Sequence, residues 1–269
     1  LTTDFGSADA YAAAMKGVIL DINPDAMLVD ICHTIEPQSI SQAAFVLGTV
    51  YEFFPQRTIH LVVVDPGVGT ARRAIILRTP QADFVAPDNG VLSYVIQQYS
   101  IKTVDFESKQ SEIAPGLEAV AITNPKLWRS PVSPTFHGRD IFAPVAAYLS
   151  TGLPLADFGE VISSIIVLPL SQPHKETDGT LTGHILHIDH FGNLITNVNP
   201  GDLPEKEQPV KVEVGNKLIT GLNRTYAEGE NLLALIGSSG RLEIALKNGN
   251  ASICLNVRVG DEVKIGFLS

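Results

Sequence analysis

Four short stretches carry residues whose types and spacing could do chemistry. The first is "LVVVDPGVGTARR" (61–73), where an aliphatic run ends on Asp65 and turns through Gly67 and Gly69 into Arg72 and Arg73. A carboxylate answered by guanidinium groups can orient a small polar molecule or take a proton from it, and the glycines let the chain turn tightly. A strand-to-strand turn closed by a structural Asp–Arg pair is the competing explanation. "TTDFGSADAY" (2–11) places Asp4 and Asp9 close together. Paired carboxylates there suit a polyhydroxyl or cationic ligand, and a turn residue plus a helix N-cap are the ordinary equivalents. In "PTFHGRDIFAP" (134–144), His137 stands beside a glycine and near Arg139 and Asp140, which either set its tautomer or simply pair and cap a helix. In "HIDHFGNLITN" (187–197), Asp189, Phe191 and Asn193 share one strand-turn-strand unit. An aromatic ring for stacking and an amide for a base edge suit a purine, while a glycine turn with an Asx cap explains the same composition.

Other local signals carry less. "APDNG" (86–90) reads as a structural turn. The "DFG" at 4–6 lacks the glycine-rich loop and the "HRD" and "APE" elements of a kinase. His33, His137, His184, His187 and His190 accompany many acids, yet none falls in a recognisable metal-ligand spacing, so no metal is expected. GxSxG, Walker A and GxGxxG patterns are all missing, and no cofactor is expected.

The elements that must position these residues follow from periodicity. Strands are expected at 26–32, 58–65, 74–79, 83–87, 103–107 and 161–168, and helices at 9–22, 39–54, 90–99 and 140–152, with Asp9 and Ser39 as N-caps. Such alternation predicts an α/β domain whose ligand site lies at the carboxyl ends of the strands. Near "SQPHKETDGT" (171–180) the texture turns polar and the helical period stops. Beyond it come short alternating segments, "LTGHILHID", "VKVEVGNKLI", "NLLALIG", "RLEIAL", "ASICLNV" and "DEVKIGFL", all expected as strands. The expected division is therefore 1–170, an α/β sandwich-like domain around a mostly parallel sheet, and 171–269, a smaller antiparallel β-barrel.

With 45% hydrophobic and 18% charged residues, the 269-residue chain can bury real cores. A formal charge of -10 without a Lys/Arg cluster argues against nucleic acid or an anionic membrane as partner. Neither a membrane span nor a secretory signal is expected, which predicts the cytoplasm. Cys32 and Cys254 lie in apolar segments and read as small core residues rather than a disulfide.

Taken together, "TTDFG", "MKG", "VVDPGVGTxRR", "PDNG", "FHGRDIFAP" and "DHFGNLITN" resemble, in order and approximate spacing, the S-adenosylmethionine (SAM) hydroxide adenosyltransferase family, relatives of the fluorinase and chlorinase. The resemblance spans essentially the whole chain. It implies an N-terminal α/β domain, a C-terminal barrel, and a homotrimer with active sites between one subunit's first domain and its neighbour's second. It also implies hydrolysis of SAM to adenosine and L-methionine by attack of water or hydroxide on ribose C5′. Asp65, Arg72 and His137 match the catalytic Asp-Arg-His set, with Asp65 and His137 both open as the base. Asp4 matches the ribose-diol carboxylate, Asp9 and Asp189 the groups on the methionine amine, Phe191 and Asn193 the adenine contacts, and Ser238 a methionine-carboxylate contact. Two other readings use the same pocket: a halogenase forming 5′-halo-5′-deoxyadenosine, which a carboxylate at the nucleophile position opposes, and a SAM- or adenosine-binding module without turnover.

Overall fold

The computed structural model describes residues 1–99, 109–203 and 210–267. The expected strand at 103–107 lies outside them. The chain divides into two compact units, Leu1–Pro169 and Leu170–Ser269.

In chain order, the first unit contains β1 (Thr2–Thr3), α1 (Tyr11–Ile22), α2 (Ile40–Val50), β2 (Thr58–Val63), β3 (Ala74–Arg78), β4 (Ala82–Pro87), α3 (Ser93–Tyr99), β5 (Gln110–Glu112), β6 (Glu118–Ile122), α4 (Ala143–Ser150), β7 (Gly159–Val161) and β8 (Ser164–Ile166). The main sheet runs β1-β2-β4-β3-β6-β7. Its β1–β2 and β2–β4 pairs are parallel, and from β3 outwards the pairs are antiparallel. The parallel part is the part that matters, because β1 and β2 leave the sheet on the same edge, with Thr3 opposite Val63.

Alternation along β2 makes the sandwich. Leu61 and Val63 face a core shared with Met15, Val18 and Ile19 of α1 and with Phe142 and Val145. Val62 and Val64 face the opposite core, shared with Ala43 and Leu47 of α2 and Val95 of α3. A strand buried on both faces reads as a continuous β-branched run, as "TIHLVV" does. Ser39 caps α2, its hydroxyl accepting from Gln42 N at 3.4 Å.

Several elements differ from expectation. Residues 26–32 form no regular strand; they run extended beside β1, with Ile31 N donating to Leu1 O and Thr3 N to Cys32 O, each at 2.9 Å or less. The 161–168 segment is broken into β7 and β8, which join different sheets. β6, "EAVAI", fills the sheet where no strand was expected, since its alanines carry little β signal. α1 begins at Tyr11 with Ala10 as its N-cap, so Asp9 caps nothing.

The second unit contains β9 (His174–Lys175), β10 (Leu181–Ile188), β11 (Leu194–Thr196), β12 (Val210–Val214), β13 (Lys217–Thr220), β14 (Leu232–Ile236), β15 (Leu242–Leu246), α5 (Ala251–Leu255) and β16 (Glu262–Phe267). The strands form a nearly closed antiparallel barrel, in the order β13-β12-β16-β10-β11-β15-β14. Leu181, Ile185, Leu194, Val212, Ile244 and Ile265 fill it from alternate positions. "ASICLNV" is helical rather than a strand. Asn250 caps its start by accepting from Ile253 N at 2.8 Å, and Asn256, at φ 52, ends it in the left-handed region. That helix leaves Cys254 exposed, and Cys32 is only half-buried, so neither is a core residue; both thiols are free.

Candidate functional site

The chain leaves β2 at Asp65 and turns back through Val68 N to Asp65 O at 3.2 Å and Thr70 N to Gly67 O at 3.1 Å. The turn brings Arg72 onto the carboxylate. Arg72 Nε lies 2.9 Å from Asp65 Oδ1 and 3.0 Å from Oδ2, and Nη2 closes on Oδ2 as well. The same Nη2 stands 3.0 Å from His137 Nδ1. Phe142 lies under the guanidinium, its ring centroid 5.1 Å from Cζ. The pair is nearly enclosed, with side-chain exposures of 6% for Asp65 and 11% for Arg72. Arg73, expected to point to the same acid, goes elsewhere. Its Nε donates to buried Asp88 at 2.8 Å, and Asp88 also accepts Ile166 N at 2.7 Å. Thus "APDNG" is structural, as its composition indicated.

His137 is delivered by an unusual helix start. Residues Gly138–Phe142 form a π-turn that runs into α4, a distortion that often marks function. A Cβ on Gly138 would lie 3.2 Å from Met15 Sδ and 3.3 Å from Val63 Cγ1, so this position fits tightly against α1 and the end of β2. Asp140 is consumed structurally, accepting Arg139 Nε at 2.7 Å and Ser133 N at 2.9 Å. Arg72 carries protons on every nitrogen and offers no lone pair, so His137 Nδ1 must accept from it, and the neutral ring keeps its proton on Nε2. Burial, then the neighbouring Arg72 cation, hold His137 below the ordinary histidine pKa, against smaller opposing pulls from Asp65 and Asp140.

Asp4 follows β1, whose neighbour β2 carries Asp65, so the two acids emerge at one sheet edge. Asp4 Oδ2 accepts Gln38 N at 2.8 Å. A side-chain chain that sequence reading missed supports this strand: Thr3 Oγ1 lies 2.9 Å from His33 Nδ1, His33 Nε2 lies 2.9 Å from Asp30 Oδ1, and Lys16 Nζ lies 2.5 Å from Asp30 Oδ2. No local motif joins these four residues, and only the parallel run of 26–32 beside β1 brings them together. The rings of Phe5, Tyr11 and Phe136 pack mutually with centroids 5.2 to 5.9 Å apart. They tie the Asp4–Asp9 loop to the segment that carries His137. Asp9 itself is exposed beside them.

In the second unit, Asp189 closes the turn between β10 and β11. Its Oδ1 accepts Phe191 N at 2.9 Å and Asn193 N at 2.8 Å, and its Oδ2 accepts Asn193 Nδ2 at 2.9 Å. Phe191 is 72% exposed at the tip, a large ring held in water. Ser238 occupies the exposed turn between β14 and β15, and β15 pairs with β11. A further acid escaped sequence reading because it looks like a strand residue. Glu243 is buried on β15, accepts Tyr226 OH at 2.7 Å and is pushed above the usual carboxylate range by burial. Burial, and then Glu243, raise Tyr226 to about 12. Among the described residues, no group of three or more His, Cys, Asp or Glu side chains gathers to hold a metal ion.

The sequence model of the SAM hydroxide adenosyltransferase N-terminal domain matches residues 1–159, and that of the C-terminal domain matches residues 183–264. The chain belongs to this family. Among relatives of SAM hydroxide adenosyltransferase type, an (R)-S-adenosyl-L-methionine hydrolase of Salinispora tropica is 36% identical, the match covering 98% of this chain and 95% of that protein. A fluorinase of Nocardia brasiliensis is 26% identical over 98% of this chain and 94% of its own length. The crystal structure of an uncharacterized conserved protein from Thermotoga maritima superposes with a TM-score of 0.85 at 39% identity, covering 98% of each chain. Within the family, then, this chain is more similar to that hydrolase than to that fluorinase.

Proposed function

We propose that the protein hydrolyses S-adenosyl-L-methionine to adenosine and L-methionine, and that the hydrogen-bonded set Asp65–Arg72–His137 steers the attacking water. The observation carrying this reading is that one guanidinium bridges a carboxylate and an imidazole at the sheet edge where Asp4 also emerges. Water oxygen forms the new bond to C5′, the carbon–sulfur electron pair leaves with sulfur as a neutral thioether, and one proton must be removed from the nucleophile. Asp65 is the group that takes it. Its oxygens keep lone pairs beyond those used by Arg72, whereas the acceptor nitrogen of His137 is already committed and Nε2–H is a donor. His137 therefore orients the oxygen and Asp65 accepts the proton. A nearly enclosed pair favours a reaction in which the sulfonium charge disperses.

Alignment supplies more than basicity: holding a nucleophile in line contributes up to about 7 to 11 kcal/mol, general-base assistance about a hundredfold to ten-thousandfold in rate. Asp4 reads the ribose diol, Asp9 and Asp189 the methionine ammonium, Phe191 and Asn193 the adenine, and Ser238 the methionine carboxylate. Asp9, free of any capping duty, is available for that role. The assembly is a homotrimer whose active sites combine one subunit's first unit with its neighbour's second, and the exposed Phe191 ring suits such a shared site. The reaction needs neither metal nor cofactor and proceeds in the cytoplasm, a reducing setting in keeping with two free thiols.

Incubation with SAM in heavy-oxygen water tests the proposal: label should enter adenosine at O5′ with methionine released in equal amount. Asp65→Asn, folded by circular dichroism, should slow release by about a hundredfold to ten-thousandfold. Adenosine at wild-type rate from that variant would sink the assignment of Asp65. A halonucleoside formed in chloride or fluoride instead of adenosine would sink the hydrolytic reading.

A further inference from the structure

The turn at Asp189 fixes not only a backbone but the direction of one amide. A carboxylate has only lone pairs to offer, so the Asn193 group that meets Asp189 Oδ2 at 2.9 Å has to be the Nδ2 amine. Reversing the amide would set two acceptors face to face. Asn193 Oδ1 is the atom that remains, and among the described residues it accepts no hydrogen bond. The residue is 8% exposed. Its turn cannot easily swing, because Gly192, at φ +85, is so close to Asn250 that a Cβ would lie 2.1 Å from Asn250 Cγ. Gly192 O also accepts Ser252 N at 3.1 Å, and Asn250 is itself fixed as the cap of α5.

We propose that Asp189 is a positioning residue which locks Asn193 so that the base site presents an acceptor, selecting a 6-aminopurine over a 6-oxopurine. This rests on the reading of Phe191 and Asn193 as the contacts of the substrate base. An exocyclic amine donates to Asn193 Oδ1. A 6-oxo group meets it acceptor to acceptor, and a buried polar site left mispaired discriminates far more strongly than a missing apolar contact. Selection of this kind works by a built-in repulsion as much as by the favourable bond. Whatever else the Asp189 oxygens contact, that role is separable, because only the amide lock distinguishes the two bases.

The experiment compares SAM with its 6-oxo counterpart, hypoxanthine replacing adenine and the sulfonium unchanged, by kcat/KM for methionine release. The wild-type protein should prefer SAM by about a hundredfold or more. In Asp189→Asn the carbonyl oxygen must still accept the Phe191 and Asn193 N–H groups, so an amine faces the Asn193 amide and turns it, and the preference should fall to about tenfold or less. Asn193→Ala, which lacks the reading group, should lose the preference similarly and serves if the first variant does not fold. A wild-type ratio near one overturns the proposal. So does an unchanged ratio in Asp189→Asn, the result expected if Asp189 only braces the turn or grips the ammonium. Should the wild-type protein release no methionine at all, the hydrolytic reading fails by itself, and calorimetric binding of adenosine against inosine to the same proteins still decides the inference.

Discussion

Arg72 is the hub of the proposed chemistry, since it faces a carboxylate and an imidazole at once and lies over an aromatic ring. Protonation of His137 would place an N–H against the guanidinium, so the active form is the neutral ring. Because burial and Arg72 depress the His137 pKa, neutrality persists below 6.5 and is lost only on further acidification. The acidic limb of kcat/KM against pH should therefore have its midpoint below 6.5; a midpoint above that value would show that His137 is not the group being titrated. Asp65, Arg72 and His137 were legible as individual residues because each sits at a strand or helix boundary rich in glycine. The partition of the two arginines was not. Adjacent side chains point to opposite faces of an extended chain, and which one meets Asp65 depends on where β3 begins.

At the scale of elements, two loops must touch for the triad to exist. Gly69 is the contact: it has φ +77, and a Cβ there would lie 2.6 Å from Pro134 O in the segment leading to His137. Gly69→Ala should push these loops apart while leaving both cores intact. A displacement on the order of 1 Å is worth about a hundredfold in rate, so kcat should fall by about that factor, with little change in melting temperature. Steady-state kinetics with a thermal melt checks this, and an unaltered kcat would count against the loop contact as a determinant of geometry. Long periodic helices and β-branched strands such as β2 were legible. Some short elements, such as β6 and α5, were not. Helix α5 was hidden in an apolar run too brief to separate period 3.6 from period 2, and the asparagine that caps its start, Asn250, lies just before that run.

Across the whole molecule, each unit carries its own core, and the first unit buries a histidine that takes no part in the site. His60 is 2% exposed on β2, stacked on Phe84 with centroids 5.2 Å apart and edged by Tyr51 and Phe54. Burial lowers its pKa to about 4. Above 6.5 the group is neutral whether folded or not; as pH falls from there towards 4, the unfolded chain takes up a proton that the folded one refuses, and stability is lost. The loss amounts to about 2 kcal/mol at pH 5 and about 3 kcal/mol below pH 4. Urea titrations should show His60→Phe to be less acid-sensitive than the wild type by that margin; parallel curves would refute it. The two-unit layout was visible in the sequence as a change of texture, because alternation and helical period are local properties, whereas the order of strands in a sheet is not.

One pairing sets a timetable for building the protein. Strand β1, which carries Asp4 at its end, takes its parallel partner from β2, with Thr2 opposite Val62. A ribosome must therefore deliver the chain as far as Val62 before β1 acquires that neighbour, and until then only the nearer 26–32 segment can lie beside it. The strand leading to Asp4 is flanked on that side only when the stretch leading into Asp65 arrives.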